Sequence, residues 1–230
     1  MGSASRHHIV TALAAVTNEE VEPGLCNTSA GLVGVTGAAI VVVTDGGHRA
    51  VLCSSNPTAS ALEDLQTTLG EGPGIDAYRR GMPVVDADLA GPARSQWLAF
   101  APPAVQAGAA AVYAFPLRVG AVRLGTVTFS HAQPGRLTDE QYADARAVAN
   151  AVTQVVLGIQ SKAPPGMVAW PLAAASDGGV EVHQATGVLA VRLGVTVGEA
   201  MIRLRALAYS EERPLAEVAR DVIAGKLGSG

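Results

Sequence analysis

Side chains that could catalyse a reaction are few in this sequence, and their spacing matches no familiar catalytic or metal site. The Asp86 and Asp88 carboxylates can share one face of a strand end, but a surface turn is the simpler interpretation because no neighbour would raise the pKa of either group. Gly70–Gly74 lacks the Lys-Ser/Thr ending of a phosphate-binding loop. The histidines show no spacing with other metal ligands; they are His7, His8, His48, His131 and His183. We therefore expect no enzymatic activity, no metal ion and no cofactor.

The two cysteines, Cys26 and Cys53, are too few for a disulfide framework or a metal site. A free thiol in a protein core behaves mainly as a small apolar group. We interpret both cysteines as buried apolar side chains, in preference to redox sensors.

Length and charge are those of an ordinary folded protein: 230 residues and a net charge of −4. No apolar run reaches membrane-spanning length, and the N-terminus lacks a signal-peptide pattern, so we expect a cytoplasmic protein without membrane contact. Residues 181–230 hold six basic and six acidic side chains and are therefore neutral. Nucleic-acid binding by this segment would have to depend on a local arginine face and not on bulk charge.

The first 135 residues alternate between strand and helix patterns. The β-branched run 38–44, the turn Asp45-Gly-Gly and the run 48–54 predict a hairpin whose first strand is buried on both faces. A second hairpin is predicted over 110–117 and 122–130, and a short strand over 83–86. Helical patterns cover 8–18, 25–35, 57–69 and 75–80. Hairpins bracketed by helices indicate an α+β domain, with an antiparallel sheet and helices on its faces.

This domain resembles GAF sensor domains. The similar runs are GPGIDAY (72–78), PVVDADL (83–89), WLAF (97–100) and AFPLRVGAVRLG (114–125). The resemblance covers about residues 5 to 135 and implies a sensor fold that can bind a small-molecule effector of unspecified identity.

Four large rings are candidate ligand-binding residues: Trp97, Phe100, Tyr113 and Phe115. Core filling is the ordinary role of such rings. In a GAF-like fold, however, the irregular segment that holds Trp97 and Phe100 would cover the sheet and close a mostly apolar cavity.

Residues 138–160 show a long helical pattern with apolar positions three and four residues apart, which is typical of a coiled-coil seam. The pattern predicts a helix that joins two chains as a parallel homodimer; the alternative is that the same stripe packs on the sheet. Residues 161–179 are rich in proline and glycine and predict a linker. The seam residues are Tyr142, Ala145, Ala149, Val152, Val156 and Ile159.

Residues 181–227 contain three short amphipathic helical patterns. Gly194 and Gly225 end the first and third, Pro214 suits the start of the third, and Thr196 stands at capping-box spacing before Glu199. Helices this short must pack on one another to be stable, so we predict a three-helix unit.

The three runs EVHQATGVL (181–189), EAMIRLRALA (199–208) and LAEVARDV (215–222) resemble the ANTAR family of bacterial RNA-binding antitermination domains. Arginine can hold a phosphate or stack on a base, and tyrosine offers a ring to a loop base. Arg203 is instead expected to pair with Glu199, four residues earlier. The family commonly has lysine where this chain has Thr186. The resemblance implies these RNA-binding residues: Gln184, Thr186, Gly187, Arg192, Arg205, Tyr209 and Arg213.

The predicted organisation is therefore a GAF-like sensor domain over 1–136, a seam helix and linker over 137–178, and an all-α ANTAR-like domain over 179–230. The predicted function is a ligand-responsive, homodimeric regulator that binds tandem stem-loops in a nascent transcript and prevents termination. The alternative is a protein–protein signalling module whose C-terminal helices bind a protein partner. A GAF-based enzyme or chromophore protein would require a bound metal or pigment.

Overall fold

A five-stranded antiparallel sheet organises the N-terminal part of the chain. A computed structural model describes residues 9, 11, 13, 21–43, 49–91, 96–161 and 177–226. Both predicted hairpins and the short predicted strand are confirmed, and six consecutive buried residues make the first strand buried on both faces. The predicted turn at 45–47 lies outside the described residues. The strands are β1 (Gly37–Val43), β2 (Arg49–Ser54), β3 (Val84–Asp86), β4 (Ala111–Val119) and β5 (Val122–His131). Their spatial order in the sheet is β2-β1-β5-β4-β3.

The sensor helices begin and end at local sequence signals, as α2 illustrates. The Asn56 side chain accepts a hydrogen bond from the Ala59 amide at 2.8 Å, and Pro57 occupies the first helical position. Gly70 ends the helix at φ 69°, a left-handed conformation that glycine adopts without strain. Of the helix predicted over 8–18, only residues 9, 11 and 13 are described, and they are helical. The helices whose bounds are described are α1 (Val21–Val33), α2 (Pro57–Leu69), α3 (Pro73–Arg80), α4 (Ala101–Gln106) and α5 (Asp139–Gln160).

The two faces of the sheet carry two separate cores. Helices α1 and α5 cover one face together with Tyr113, Phe115 and Phe129. Helices α2, α3 and α4 cover the other face, with Trp97 and Phe100. Adjacent strand residues point to opposite faces, and β4 accordingly contributes Tyr113 to the first core and Val112 to the second.

The prediction that the apolar stripe of α5 forms a dimer seam is wrong. Ala145, Val152 and Val156 are buried against α1 and β4 within the same chain. Tyr142 packs on Phe115, with ring centroids 5.3 Å apart. The apolar stripe of α5 therefore faces the sheet and α1, and the helix belongs to the sensor core.

The two cysteines form a disulfide, which corrects their prediction as free thiols. Cys26 of α1 and Cys53 of β2 are bonded and almost fully buried. Their burial was correctly predicted, but the pairing depends on how α1 packs against β2, which no local pattern reveals.

Three helices form the C-terminal unit, as predicted: α6 (Asp177–Leu193), α7 (Val197–Ser210) and α8 (Leu215–Ile223). Their apolar stripes enclose a separate core. The capping box is only half formed, because the Thr196 hydroxyl accepts from the Glu199 amide while the Glu199 carboxylate pairs with Arg203. Residues 162–176 of the predicted linker lie outside the described residues. Across the described ranges, no single helix is long and apolar enough to cross a membrane; α6 from Glu181 and α7 reach that length only as a pair bent by 108°.

Candidate functional site

The outward face of α6 carries three of the predicted RNA-binding residues. The helix buries Val182 and Leu189, so Gln184, Gly187 and Arg192 are turned toward solvent. The space where a Gly187 side chain would stand is open, which leaves the helix backbone approachable there. This face therefore presents one amide, one cation and a stretch of uncovered backbone to a large partner.

Thr186 does not join that face, which corrects its prediction as an RNA contact. Its side chain is fully buried, and its hydroxyl donates to the Val182 carbonyl at 2.6 Å. The Met201 sulfur of α7 lies 3.9 Å from the same hydroxyl. Thr186 is therefore a packing residue between α6 and α7.

Arg213 is held inside an acidic network at the turn between α7 and α8. It donates to Asp221 at 2.8 Å and to Glu211 at 3.1 Å, and Glu217 lies 3.6 Å away. Hydrogen bonding to Arg213 lowers the pKa of Asp221, and the bonds to Asp221 and Glu211 raise the pKa of Arg213. Its partners on three sides give Arg213 a role in holding the turn, so it is not a free phosphate ligand in this arrangement.

Arg205 lies against the sensor domain and is half-buried there. Its Nη1 atom lies 2.5 Å from the position that a Cβ atom would take on Gly70, at the end of α2. Its Nε atom is buried and has no hydrogen-bond partner among the described residues. Desolvation, and then the positive charges of Arg79 and Arg49, lower the pKa of Arg205. The Arg205 guanidinium is thus half-buried between the two domains, with its Nε–H lacking an acceptor in the described part of the chain.

Tyr209 and Arg203 both lie on the solvent-exposed surface of α7. Tyr209 is 61% exposed, which leaves its ring available for stacking. Arg203 pairs with Glu199 at 3.1 Å, as predicted. A cleft of about 790 Å³ separates the Tyr209 end of α7 from α2 and α4.

The four candidate ligand-binding rings do not converge on one pocket. Trp97 and Phe100 meet edge to face at 6.0 Å on one side of the sheet, and the Trp97 indole donates to Asp76 at 3.2 Å. Tyr113 and Phe115 lie on the opposite side, where the Tyr113 hydroxyl donates to the Gly135 carbonyl at 2.6 Å. All four rings are almost fully buried, so the structure supports the core-packing alternative for them.

A buried polar cluster, missed by the sequence reasoning, joins α2 to β2 and α3. Glu63 is fully buried, accepts from Arg49 at 3.1 Å, and accepts from Gln66 at 2.8 Å. Gln66 in turn accepts from the Gly74 amide at 2.7 Å. Burial raises the pKa of Glu63, and the Arg49 charge opposes that shift. The only sequence signal was a Glu-x-x-Gln pair on a helix, which ordinarily indicates a solvated face.

No three His, Cys, Asp or Glu side chains converge as metal ligands within the described ranges. The polar groups brought together are instead hydrogen-bond and ion-pair partners. The predicted RNA-binding residues that remain exposed lie on α6 and α7.

Comparisons with known proteins match the sensor part and the C-terminal unit to two different families. The GAF domain family model matches residues 17–156, and the ANTAR domain family model matches residues 172–223. No curated protein sequence matches the chain significantly.

Solved structures show the sensor fold. The GAF domain of a phosphoenolpyruvate-protein phosphotransferase from Coxiella burnetii aligns with a TM-score of 0.54 at 14% identity, covering 69% of this chain and 94% of that one. The GAF domain of the Acinetobacter phosphoenolpyruvate-protein phosphotransferase gives 0.53 at 12% identity, covering 70% and 96%. These likenesses concern the fold alone. The sheet, its flanking helices and the C-terminal helical unit coincide with the two matched families, and the chain belongs to the GAF–ANTAR regulators.

Proposed function

We propose that this protein is a ligand-responsive RNA-binding regulator that holds stem-loops of a nascent transcript and so prevents transcription termination. The observation that carries the proposal is the three-helix unit over the ANTAR match, with Gln184, Gly187 and Arg192 on one open face. RNA stem-loops are recognised by shape and by splayed bases, which suits a unit of neutral overall charge that presents a placed cation.

The proposed mechanism uses two C-terminal units on one transcript. Two units that hold adjacent stem-loops would keep the competing terminator hairpin from forming. A homodimer would supply both units and raise the affinity through effective concentration, without any new contact. Since α5 uses its apolar stripe within the sensor core, the proposed homodimer would use a different surface of the chain.

The sensor domain is proposed to bind a small-molecule effector. The GAF match supports a sensor role, and the buried cluster of Arg49, Glu63 and Gln66 shows that polar groups can be accommodated beneath α2. An effector could act by shifting the equilibrium between RNA-competent and RNA-incompetent arrangements.

The experiment is a gel shift with an RNA that contains two stem-loops, comparing wild type with Arg192→Ala. Losing a charge-assisted hydrogen bond of about 1.5 kcal/mol should weaken binding about tenfold. Arg203→Ala is the matched control, because Arg203 is already paired with Glu199 and should change affinity little. Absence of any shift with wild type at low salt would refute RNA binding.

A second candidate function is a protein–protein signalling module. Val191 and Ile202 are 85% and 66% exposed on the C-terminal unit, and residues 181–230 carry no net charge. Exposed apolar side chains favour protein interfaces over phosphate contact. RNA-independent pull-down of a protein partner, lost in Ile202→Ser, would favour this function.

A further inference from the structure

Helix α7 of the C-terminal unit lies against α2 of the sensor domain, and α8 also contacts α2. The Arg205 side chain reaches from α7 to Gly70, the residue that ends α2. Arg205 is one of the residues that the ANTAR resemblance implies for RNA binding. In this docked arrangement its guanidinium lies against the sensor and is only partly exposed.

The fit at Gly70 explains why this contact forms. Gly70 has no side chain, and the Arg205 guanidinium approaches within 2.5 Å of the position that a Cβ atom would take. The C-terminal end of a helix carries a partial negative charge, which attracts a cation placed there. Shape and the α2 dipole therefore both favour the docked guanidinium.

The same contact is incompletely satisfied. The Arg205 Nε atom is buried without a hydrogen-bond partner in the described part of the chain. Arg49 and Arg79 add positive charge nearby and, with desolvation, lower the pKa of Arg205. A buried N–H group without an acceptor is costly, and a phosphate would supply the acceptor that the Arg205 Nε atom lacks. An anionic partner would thus satisfy the Arg205 side chain better than the docked arrangement does.

We infer that the docking of α7 on α2 is an autoinhibitory contact, in which Gly70 and the end of α2 withhold Arg205 from RNA. This inference rests on the proposed RNA-binding function and adds its regulation. A signal that moves α2 releases α7, and RNA phosphates replace Gly70 as the surroundings of the Arg205 guanidinium. The closed population lowers the apparent RNA affinity in proportion to the fraction of molecules that are open.

The test opens the junction without replacing any of the proposed RNA-binding residues. Asp64 is an exposed residue of α2 that lines the interdomain cleft. Asp64→Lys adds positive charge to a junction that already holds Arg205, Arg49 and Arg79, and should push α7 away. Gln106→Lys, on the α4 side of the same cleft, is a second opening variant.

The matched control for Asp64→Lys is Glu140→Lys, which makes the same charge change at an exposed position of α5, across the sheet from α2. Hydrogen–deuterium exchange of the α2 and α7 amides in the full chain reports docking without RNA. Faster exchange in both helices is expected for Asp64→Lys and Gln106→Lys, and unchanged exchange for Glu140→Lys.

The second measurement is the affinity for an RNA with two stem-loops. If about nine molecules in ten are closed, opening should tighten binding about tenfold relative to Glu140→Lys. Unchanged amide exchange of α2 and α7 in both opening variants would overturn the inference. Faster exchange would also overturn it if the RNA affinity stayed equal to that of Glu140→Lys. Faster exchange with no RNA binding by any of the proteins would overturn the proposed function, while leaving the docking of α7 on α2 supported.

Discussion

Thr186 lies between α6 and α7, and its hydroxyl donates to a carbonyl one turn earlier. The side chain has no exposed surface, although the ANTAR family commonly places a lysine at this position. In this chain the neighbouring Gly187 is the exposed one. The open glycine, and not the residue before it, is therefore the part of this pair that a partner can reach.

A lysine introduced at position 186 should destabilise the C-terminal unit before it can help RNA binding. Thr186→Lys would bury an ammonium group beside Met201, and we expect the free energy of unfolding to fall by about 2 kcal/mol or more. Thr186→Val, which keeps the shape, should cost less than about 1.5 kcal/mol. Urea denaturation of both variants checks this order, and a fully stable Thr186→Lys variant would contradict it.

Glu63 should make the stability of the sensor domain depend on pH. Burial raises its pKa above the ordinary 4.5, so folding favours the protonated form. The stabilisation from protonated Glu63 is complete below that value and is lost as pH rises through the folded-state pKa.

Glu63→Gln removes this titration. Its free energy of unfolding should therefore change less with pH above 4.5 than that of wild type, as measured by urea denaturation at several pH values. Glu140→Gln, at an exposed site, should retain the wild-type dependence. Parallel curves for wild type and Glu63→Gln would show that another group is responsible.

At the scale of elements, α5 shows that one apolar stripe can serve two structures. Three-and-four spacing suits both a coiled coil and a helix on a sheet, because each requires one apolar face. The sheet supplies Phe115 within the same chain, and α5 packs there.

Shortening the α5 stripe should therefore reduce stability and not dissociate an oligomer. Val152→Ala removes buried methyl groups from the sensor core and should cost about 2 kcal/mol of unfolding free energy. Light scattering should give the wild-type molar mass for the folded variant. A change of molar mass without a loss of stability would restore the seam interpretation.

At the scale of the whole molecule, the C-terminal unit has its own core yet contacts the sensor through all three helices: α6 meets β2, and α7 and α8 meet α2. This arrangement would let a change in the sensor reach the helices that are proposed to bind RNA. The cleft beside the contact shows that the two surfaces meet over only part of their area.

If two units act on one transcript, the number of stem-loops should control the affinity. An RNA with two stem-loops should bind about a hundredfold more tightly than one of equal length with a single stem-loop, because the second contact is intramolecular. Fluorescence anisotropy measures both affinities, and light scattering of the complex should count two chains per RNA. Equal affinities would argue for a single unit acting alone.

Secondary structure was largely predictable because its signals are local. The span of α2 follows from Asn56, Pro57 and Gly70, and both hairpins follow from β-branched runs around short turns. The division into a sensor and a three-helix unit was likewise predicted from periodicity and from the two resemblances.

Side-chain roles in the candidate site were predicted less well, since burial and pairing involve residues far apart in the chain. The sequence by itself determined which helices and strands form, because caps, turns and apolar periods act over a few residues. Only the tertiary structure decided that Cys26 bonds Cys53, that Glu63 meets Arg49, and that Arg205 lies over Gly70. Each of those contacts arises from the packing of one element on another, and packing responds to the shape and charge of the whole chain.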